Sequence, residues 1–195
     1  MVLSLDKVRK TAKILRAIMD VFFWVTIISG MGIVSLCILV LIGALTIPKT
    51  ESMTISLVLN GLISYKVDRS MYELPILRPV ILRFIPTVSL VVLMAATIFR
   101  QVRNILKTVV QDCPFAEENV KRLFIIAFSL ITGSVLINVA QYLLVVAAVQ
   151  SLQINCLQVS YATDLTMLTT GLLILILAGV FKYGCFLQKE YDATI

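Results

Sequence analysis

Apolar residues come in four long blocks, at about Val21–Ile47, Ile81–Phe99, Leu123–Val149 and Leu165–Leu187, and the polar residues are pushed mostly into the segments between them. Each block is near or above the ~20 residues a helix needs to cross a ~30 Å hydrocarbon layer. Lipid offers no hydrogen bonds to open backbone, so blocks of this length are read as spanning helices. The expected fold is an all-α membrane protein forming one domain: four transmembrane helices, outer loops at 48–80 and 150–164, and an inner connection at 100–122.

Helical spacing reaches past the blocks. Before the first, Leu5, Val8, Ala12, Leu15 and Met19 recur at helical intervals, with Lys7, Arg9, Lys10, Lys13 and Arg16 mostly on the other face. This is an amphipathic helix suited to the headgroup level before the chain enters the bilayer. Asp20 stands at the entrance of the first span, where an acid stays hydrated, and is read as an interface residue. After Phe99 the apolar positions thin to Val102, Ile105, Leu106, Val109 and Val110, one stripe extending the second helix beyond the lipid. Asp112-Cys113-Pro114-Phe115 ends it, because the residue before a proline is biased away from helix. Glu117 and Glu118 then open the third helix, where its dipole favours acids.

On the other side, 51–67 holds two β-rich runs around Asn60-Gly61, a preferred pair for a two-residue hairpin turn. Near-alternation in Ser151–Tyr161 offers a third strand. A small extracytoplasmic β-hairpin cap is expected, read first as a lid on the helix ends and second as a ligand-sensing surface. Pro75, Pro79 and Pro86 punctuate the return. Pro86 fits the first turn of a helix starting near Ile85, and should kink one that starts after Pro79.

Composition agrees with the blocks. The hydrophobic fraction is 59% and mean hydropathy is +1.00, above the range of soluble chains. A net charge of +6 is of the sign that nucleic acid attracts, but its distribution points to the membrane. Basic residues crowd the amino-terminal segment and the 100–122 connection, and the loop after the third block has none. By the positive-inside rule both termini and that connection are cytoplasmic, in a multi-pass protein of the cell membrane. The bases act as topology signals and touch anionic lipid. No small-x-small cleavage site follows the first block, which is read as a retained anchor.

The search for chemistry returns little. There is no histidine, which excludes imidazole catalysis and histidine ligation. No acid lies deep in a block. Phosphate-binding glycine loops and the Gly-x-Ser-x-Gly elbow are missing. The four cysteines show neither metal spacing nor an obvious disulfide pair. No catalytic, cofactor or metal site is assigned, and the protein is expected not to be an enzyme. Asn138 and Gln141, one turn apart in the third block, are read as interhelical hydrogen-bonding groups. The other reading, a small transporter or channel subunit, would use them with Asp164 as a polar lining. Gly30, Gly32, Gly171 and Gly179 suit close helix packing but show no Gly-x-x-x-Gly spacing.

Two stretches resemble a bacterial four-span membrane family of unknown function. One is Asp112-Cys113-Pro114-Phe115-Ala116-Glu117-Glu118-Asn119-Val120-Lys121-Arg122-Leu123, similar to that family's Pro-Phe…Asn…Arg-Leu segment. The other is the tail from Gly179, with its aromatic-basic-x-Gly stretch and its Glu190-x-Asp192-x-Thr194 ending. Members are often encoded beside a small Cro/repressor-like helix-turn-helix protein. The resemblance therefore implies a partner that is a small cytosolic DNA-binding regulator. The residues expected to meet it are Arg103, Lys107, Pro114, Phe115, Asn119, Arg122, Glu190 and Asp192. The other partner expected is the lipid bilayer, with no direct contact to nucleic acid. The sequence is silent on oligomeric state.

Overall fold

A chain this apolar satisfies its backbone best within single helices, and the computed structural model has four. They are α1 (Val2–Leu41), α2 (Leu74–Val110), α3 (Glu117–Ser151) and α4 (Thr166–Thr194). The structure describes the backbone of residues 2–43, 53–55, 65–67, 74–111, 115–151 and 165–194, and side chains in 9–43, 78–111, 115–151, 165–191 and at 193. All four helices contain stretches long and apolar enough to cross a membrane, with mean hydropathies of 2.4, 2.1, 2.3 and 1.9. In the most apolar stretch of α1 and of α2 only 6% of residues are buried, against 33% in α3 and 17% in α4. α3 is thus the helix most enclosed by the others. The remaining outward apolar surface is what a lipid-embedded protein presents.

The helices are longer than the blocks that announce them. α1 runs unbroken from Val2, so the amphipathic segment is the first part of the same helix and not a separate element before it. It stops at Leu41, six residues before the apolar block does. Gly43 adopts φ +74°, and its N–H bonds the Val40 carbonyl at 3.1 Å. A left-handed glycine just past the last turn ends a helix whatever the hydropathy beyond it. α2 begins at Leu74, with Pro75 in a first turn where the missing N–H costs nothing. Pro79 and Pro86 both lie inside it, so the helix starts earlier than either reading of Pro86 placed it and Pro86 is not in a first turn. Each leaves the carbonyl four residues back, at Pro75 and Leu82, without its helical donor.

The chain divides into two compact units. The first comprises Met1–Ser29, Val91–Leu136 and Asp164–Ile195, the second Gly30–Leu90 and Ile137–Thr163. In the second unit Met53–Ile55 and Tyr65–Val67 pair antiparallel, three residues each, with Ile55 opposite Tyr65. A two-residue turn on Asn60-Gly61 would place Ile55 opposite Lys66 instead. The observed register is therefore one residue out of step with that expectation, and an extra residue in one strand would be needed to restore it. Asn60-Gly61 itself, the proposed third strand and Asp164 lie outside the described residues.

In the first unit α3 and α4 are joined by small residues. Gly171, Ala178 and Cys185, seven residues apart on α4, are all buried, as is Ala127 on α3. A Cβ on Gly171 would lie 3.1 Å from the Ala127 carbonyl oxygen and 3.2 Å from the Ile131 nitrogen, so the two backbones nearly touch. Packing at this distance stands in for the hydrophobic drive that lipid removes. Hydroxyls in the helices return to their own backbone. Thr26, Thr87, Ser89, Thr97, Thr132 and Thr170 each donate to the carbonyl four residues back, at 2.7–2.8 Å. Such bonds satisfy a polar side chain without any neighbour.

Candidate functional site

The polar chemistry of the first unit collects where α2 ends and α3 begins. The centre is Asn119, whose side chain is fully buried. Its Nδ2 donates to Thr108 Oγ1 at 2.7 Å, and the Thr108 hydroxyl donates to the Ile105 carbonyl at 2.7 Å. A hydroxyl has one proton, so this arrangement leaves Asn119 Oδ1 as an acceptor. Arg122 fills it: one guanidinium nitrogen donates to Oδ1 at 2.9 Å and to the Asn104 carbonyl at 3.0 Å. The other donates to Glu118 at 2.6 Å. Arg122 therefore bonds a backbone carbonyl of α2 and two side chains of α3, using the fork geometry that lysine lacks. Among the described residues no buried side-chain nitrogen or oxygen lacks a partner.

α4 closes on the same place. Cys185 Sγ donates to the Phe115 carbonyl at 2.9 Å, and the Phe115 and Phe181 rings lie 5.5 Å apart. A Cβ on Gly184 would stand 3.2 Å from the Phe115 ring. Lys189 pairs with Glu117 through a hydrogen-bonded ion pair. That bond and the ammonium charge lower the Glu117 pKa, and the carboxylate raises that of Lys189. For Glu117 the sign is that any stability from the pair is present above the ordinary carboxylate range and lost as pH falls through the lowered pKa. Both groups are exposed, so water and salt screen the effect.

A second polar contact ties α1 to α2. Arg103 donates to Asp20 at 2.9 Å, and its guanidinium lies 5.5 Å from the centre of the Phe23 ring. Phe22 stacks on Phe99 beside it, at 5.9 Å. The pair is about one-third exposed on each side. A double-mutant cycle of Arg103→Gln and Asp20→Asn, read by thermal unfolding in detergent, is expected to give a coupling of about 0.2–1 kcal/mol. A coupling near zero would mean that the contact contributes nothing to holding α1 on α2.

These positions sort the residues expected to meet a partner. Lys107 and Glu190 are exposed and Phe115 is 46% exposed, so all three can be reached from outside. Arg103 and Arg122 are engaged inside the protein. Asn119 cannot touch a partner, because it is enclosed; that expectation is corrected by its burial. Pro114 and the Asp192 side chain lie outside the described residues. The two amides of α3 lie in different surroundings. Asn138 is buried, as an interhelical group would be, whereas Gln141 is exposed, so the two do not share one enclosed lining. The heptad Gly171-Ala178-Cys185 is what sequence reasoning missed. A search at period seven for small residues would have found it, where a search for Gly-x-x-x-Gly could not. Among the described residues no three Cys, Asp or Glu side chains gather as a metal ion would need.

Four long apolar helices in one chain, with their polar groups satisfied internally, define a multi-pass membrane protein. Residues 68–195 match the family described as protein of unknown function DUF2975, and the chain belongs to that family. The match spans both the α2–α3 junction and the whole of α4. Neither among the curated proteins nor among the solved structures does the chain find a match.

Proposed function

We propose that this is a non-enzymatic protein of the cell membrane, with both termini and the α2–α3 junction in the cytoplasm. At that junction it holds a small DNA-binding regulator of the helix-turn-helix type. The orientation rests on the uneven placement of Lys and Arg, and the kind of partner on the resemblance of the Pro-Phe…Asn…Arg-Leu and tail segments. The short β-pair then belongs to the outer side.

One observation carries the reading. Phe115 exposes 46% of its surface while its carbonyl is held by Cys185 and the start of α3 is held by Asn119 and Arg122. An aromatic side chain fixed in place but open to water is the usual anchor of a protein interface, since little entropy is lost when it is covered. Lys107, Lys121, Lys189 and Glu190 are also exposed and offer a polar rim of mixed sign. The action is by mass: a regulator bound at the membrane is withdrawn from DNA in proportion to its occupancy there. The transporter reading gains nothing from the structure, because Asn138 is enclosed and Gln141 is not beside it in a shared lining.

The test is in-cell photo-crosslinking from Phe115 and, separately, from exposed Lys107, each replaced by a benzophenone amino acid, with mass spectrometry of the adducts. Replacement of Lys107 leaves the Phe115–Phe181 contact intact, so failure to fold cannot explain an empty result at both sites. A small helix-turn-helix protein in the adducts is the expected outcome. Lipid alone, or the chain's own helices alone, would overturn the proposal.

A further inference from the structure

The α3–α4 contact has one edge that turns cationic where the apolar stretches end. α3 carries no charge from Leu123 to Ser151, and α4 none from Thr166 to Phe181. Lys121 and Arg122 on one helix and Lys182 on the other are therefore the first charges past the lipid-length segments. Ala127 lies against Gly171 and Phe115 against Cys185, which fixes the two antiparallel helices in height. On that scale Lys121 and Lys182 stand within about one turn, 5.4 Å, of the same level. Lys182 and Lys189, seven residues apart, share a face of α4. On α3, Glu117, Lys121, Phe124 and Phe128 follow at steps of four, three and four and share another. The Glu117–Lys189 ion pair brings these two faces to the same edge. Phe115 meets Phe181 and Gly184, on a different face of α4.

This edge is short of negative charge. The ammoniums of Lys121, Lys182 and Lys189 share the single carboxylate of Glu117, and Lys189 holds it directly. Lys121 is near enough for its charge to act on Glu117. Neither the Lys121 nor the Lys182 side chain forms an ion pair or hydrogen bond with a described residue, and both are exposed. Asp20 and Glu118 are taken by Arg103 and Arg122. Glu190 is engaged, and it stands about 100° around α4 from Lys189. Toward the lipid the same edge is apolar and open. Phe124 and Phe128 stack with ring centres 6.4 Å apart, and Phe128 is 56% exposed. On α4, one turn from Lys182, Gly179 is exposed, and a Cβ there would meet nothing within 4 Å.

We infer that this edge binds an anionic phospholipid from the leaflet on the side of the α2–α3 junction, with its phosphate between Lys121 and Lys182 and an acyl chain along Phe124, Phe128 and Gly179. Basic pockets between spanning helices are where anionic headgroups are held selectively. Lysine binds phosphate as a point charge, and its long apolar stem lets the ammonium reach headgroup level from within the bilayer. Any bilayer lipid can cover the apolar part of the edge. Only a negative headgroup offsets the surplus of ammoniums, so the charge selects the occupant. The two lysines come from helices whose backbones nearly touch, which fixes the spacing that a phosphate meets. The site leaves Phe115 free and does not depend on the proposed regulator binding.

The experiment gives the full chain, in mild detergent, equal amounts of phosphatidylglycerol and phosphatidylcholine with the same acyl chains. Native mass spectrometry then counts the lipid that stays bound. Wild type is expected to retain phosphatidylglycerol several-fold over phosphatidylcholine. Lys121→Gln/Lys182→Gln is expected to bring that ratio close to one, and because both side chains are exposed and unbonded, the variant keeps its fold. Lys10→Gln/Lys13→Gln removes the same charge from exposed positions on α1 and is expected to keep the preference. Gly179→Leu leaves the lysines in place and puts a side chain where the acyl chain lies, so its retained phosphatidylglycerol is expected to fall several-fold. A wild type without preference, an equal loss in the α1 variant, or full retention in Gly179→Leu would each overturn the inference.

Discussion

Gly171→Leu is expected to unseat α4 from α3. At Gly171 a Cβ alone would lie 2.8 Å from Ile131 Cγ1, 3.1 Å from the Ala127 oxygen and 3.2 Å from the Ile131 nitrogen. Two of these three are backbone atoms of α3, and a helix backbone cannot step aside as a rotamer can. Overpacking of this kind costs about 1–3 kcal/mol where the surroundings can adjust, and more where they cannot. Three glycines make a graded series. At Gly133 the obstacle is the Met94 side chain, 1.9 Å from the new Cβ at its sulfur. Methionine has three rotatable bonds and a soft thioether, so Gly133→Ala is expected to cost less than Gly171→Ala. At Gly179 nothing stands within 4 Å, and Gly179→Leu is expected to stay within about ±0.5 kcal/mol. Thermal unfolding in detergent, at a dilution that keeps single chains apart, reads all three. Should Gly171→Leu itself fail to fold, Gly171→Ala still ranks the positions. If Gly171→Ala proves no worse than Gly179→Leu, the close α3–α4 contact is not where the chain is held.

That contact also marks how far the sequence could be read. Four apolar blocks translate directly into four helices, because lipid permits few other backbones and hydropathy reports lipid. Element ends are a different matter. α2 starts seven residues before its block, since Pro75 and Pro79 signal a break in water but fit a first turn and a lipid-borne helix. α1 ends six residues early, at a glycine whose φ of +74° no hydropathy pattern encodes. The partnering of polar residues was the least legible. Asn119 is by type a surface residue, and it is buried because Thr108 and Arg122 meet it there. Thr108 lies on a different helix, and that proximity is a fact of packing rather than of spacing. Gln141 shows the converse: it has the helical register of an inward residue and is exposed.

Asn119→Leu is expected to loosen the α2–α3 junction more than any surface change near it. The substitution keeps the branched outline, with bulkier methyl ends that add some overpacking, and deletes the amide. Thr108 Oγ1 then loses the donor at 2.7 Å, and Arg122 loses the acceptor at 2.9 Å. An enclosed polar group left without its partner costs about 1–3 kcal/mol, and a charged one lies toward the upper end. Arg122 retains Glu118 and the Asn104 carbonyl, so the loss stops short of a bare buried charge. Thr108→Val removes the other end of the same bond while its own helix closes the gap at Ile105. The double variant is therefore expected to cost less than the two single changes together, with a coupling of about 0.5–3 kcal/mol. Hydrogen exchange locates the damage. Amides across 104–125 should exchange faster in Asn119→Leu while those in the middle of α1 and α4 keep their protection, as for a local opening. A uniform rise across all four helices would instead make Asn119 a support of the whole bundle. No change anywhere would mean that the network around it is not what fixes Phe115 at the surface, and the anchor proposed for a partner would lose its rigidity.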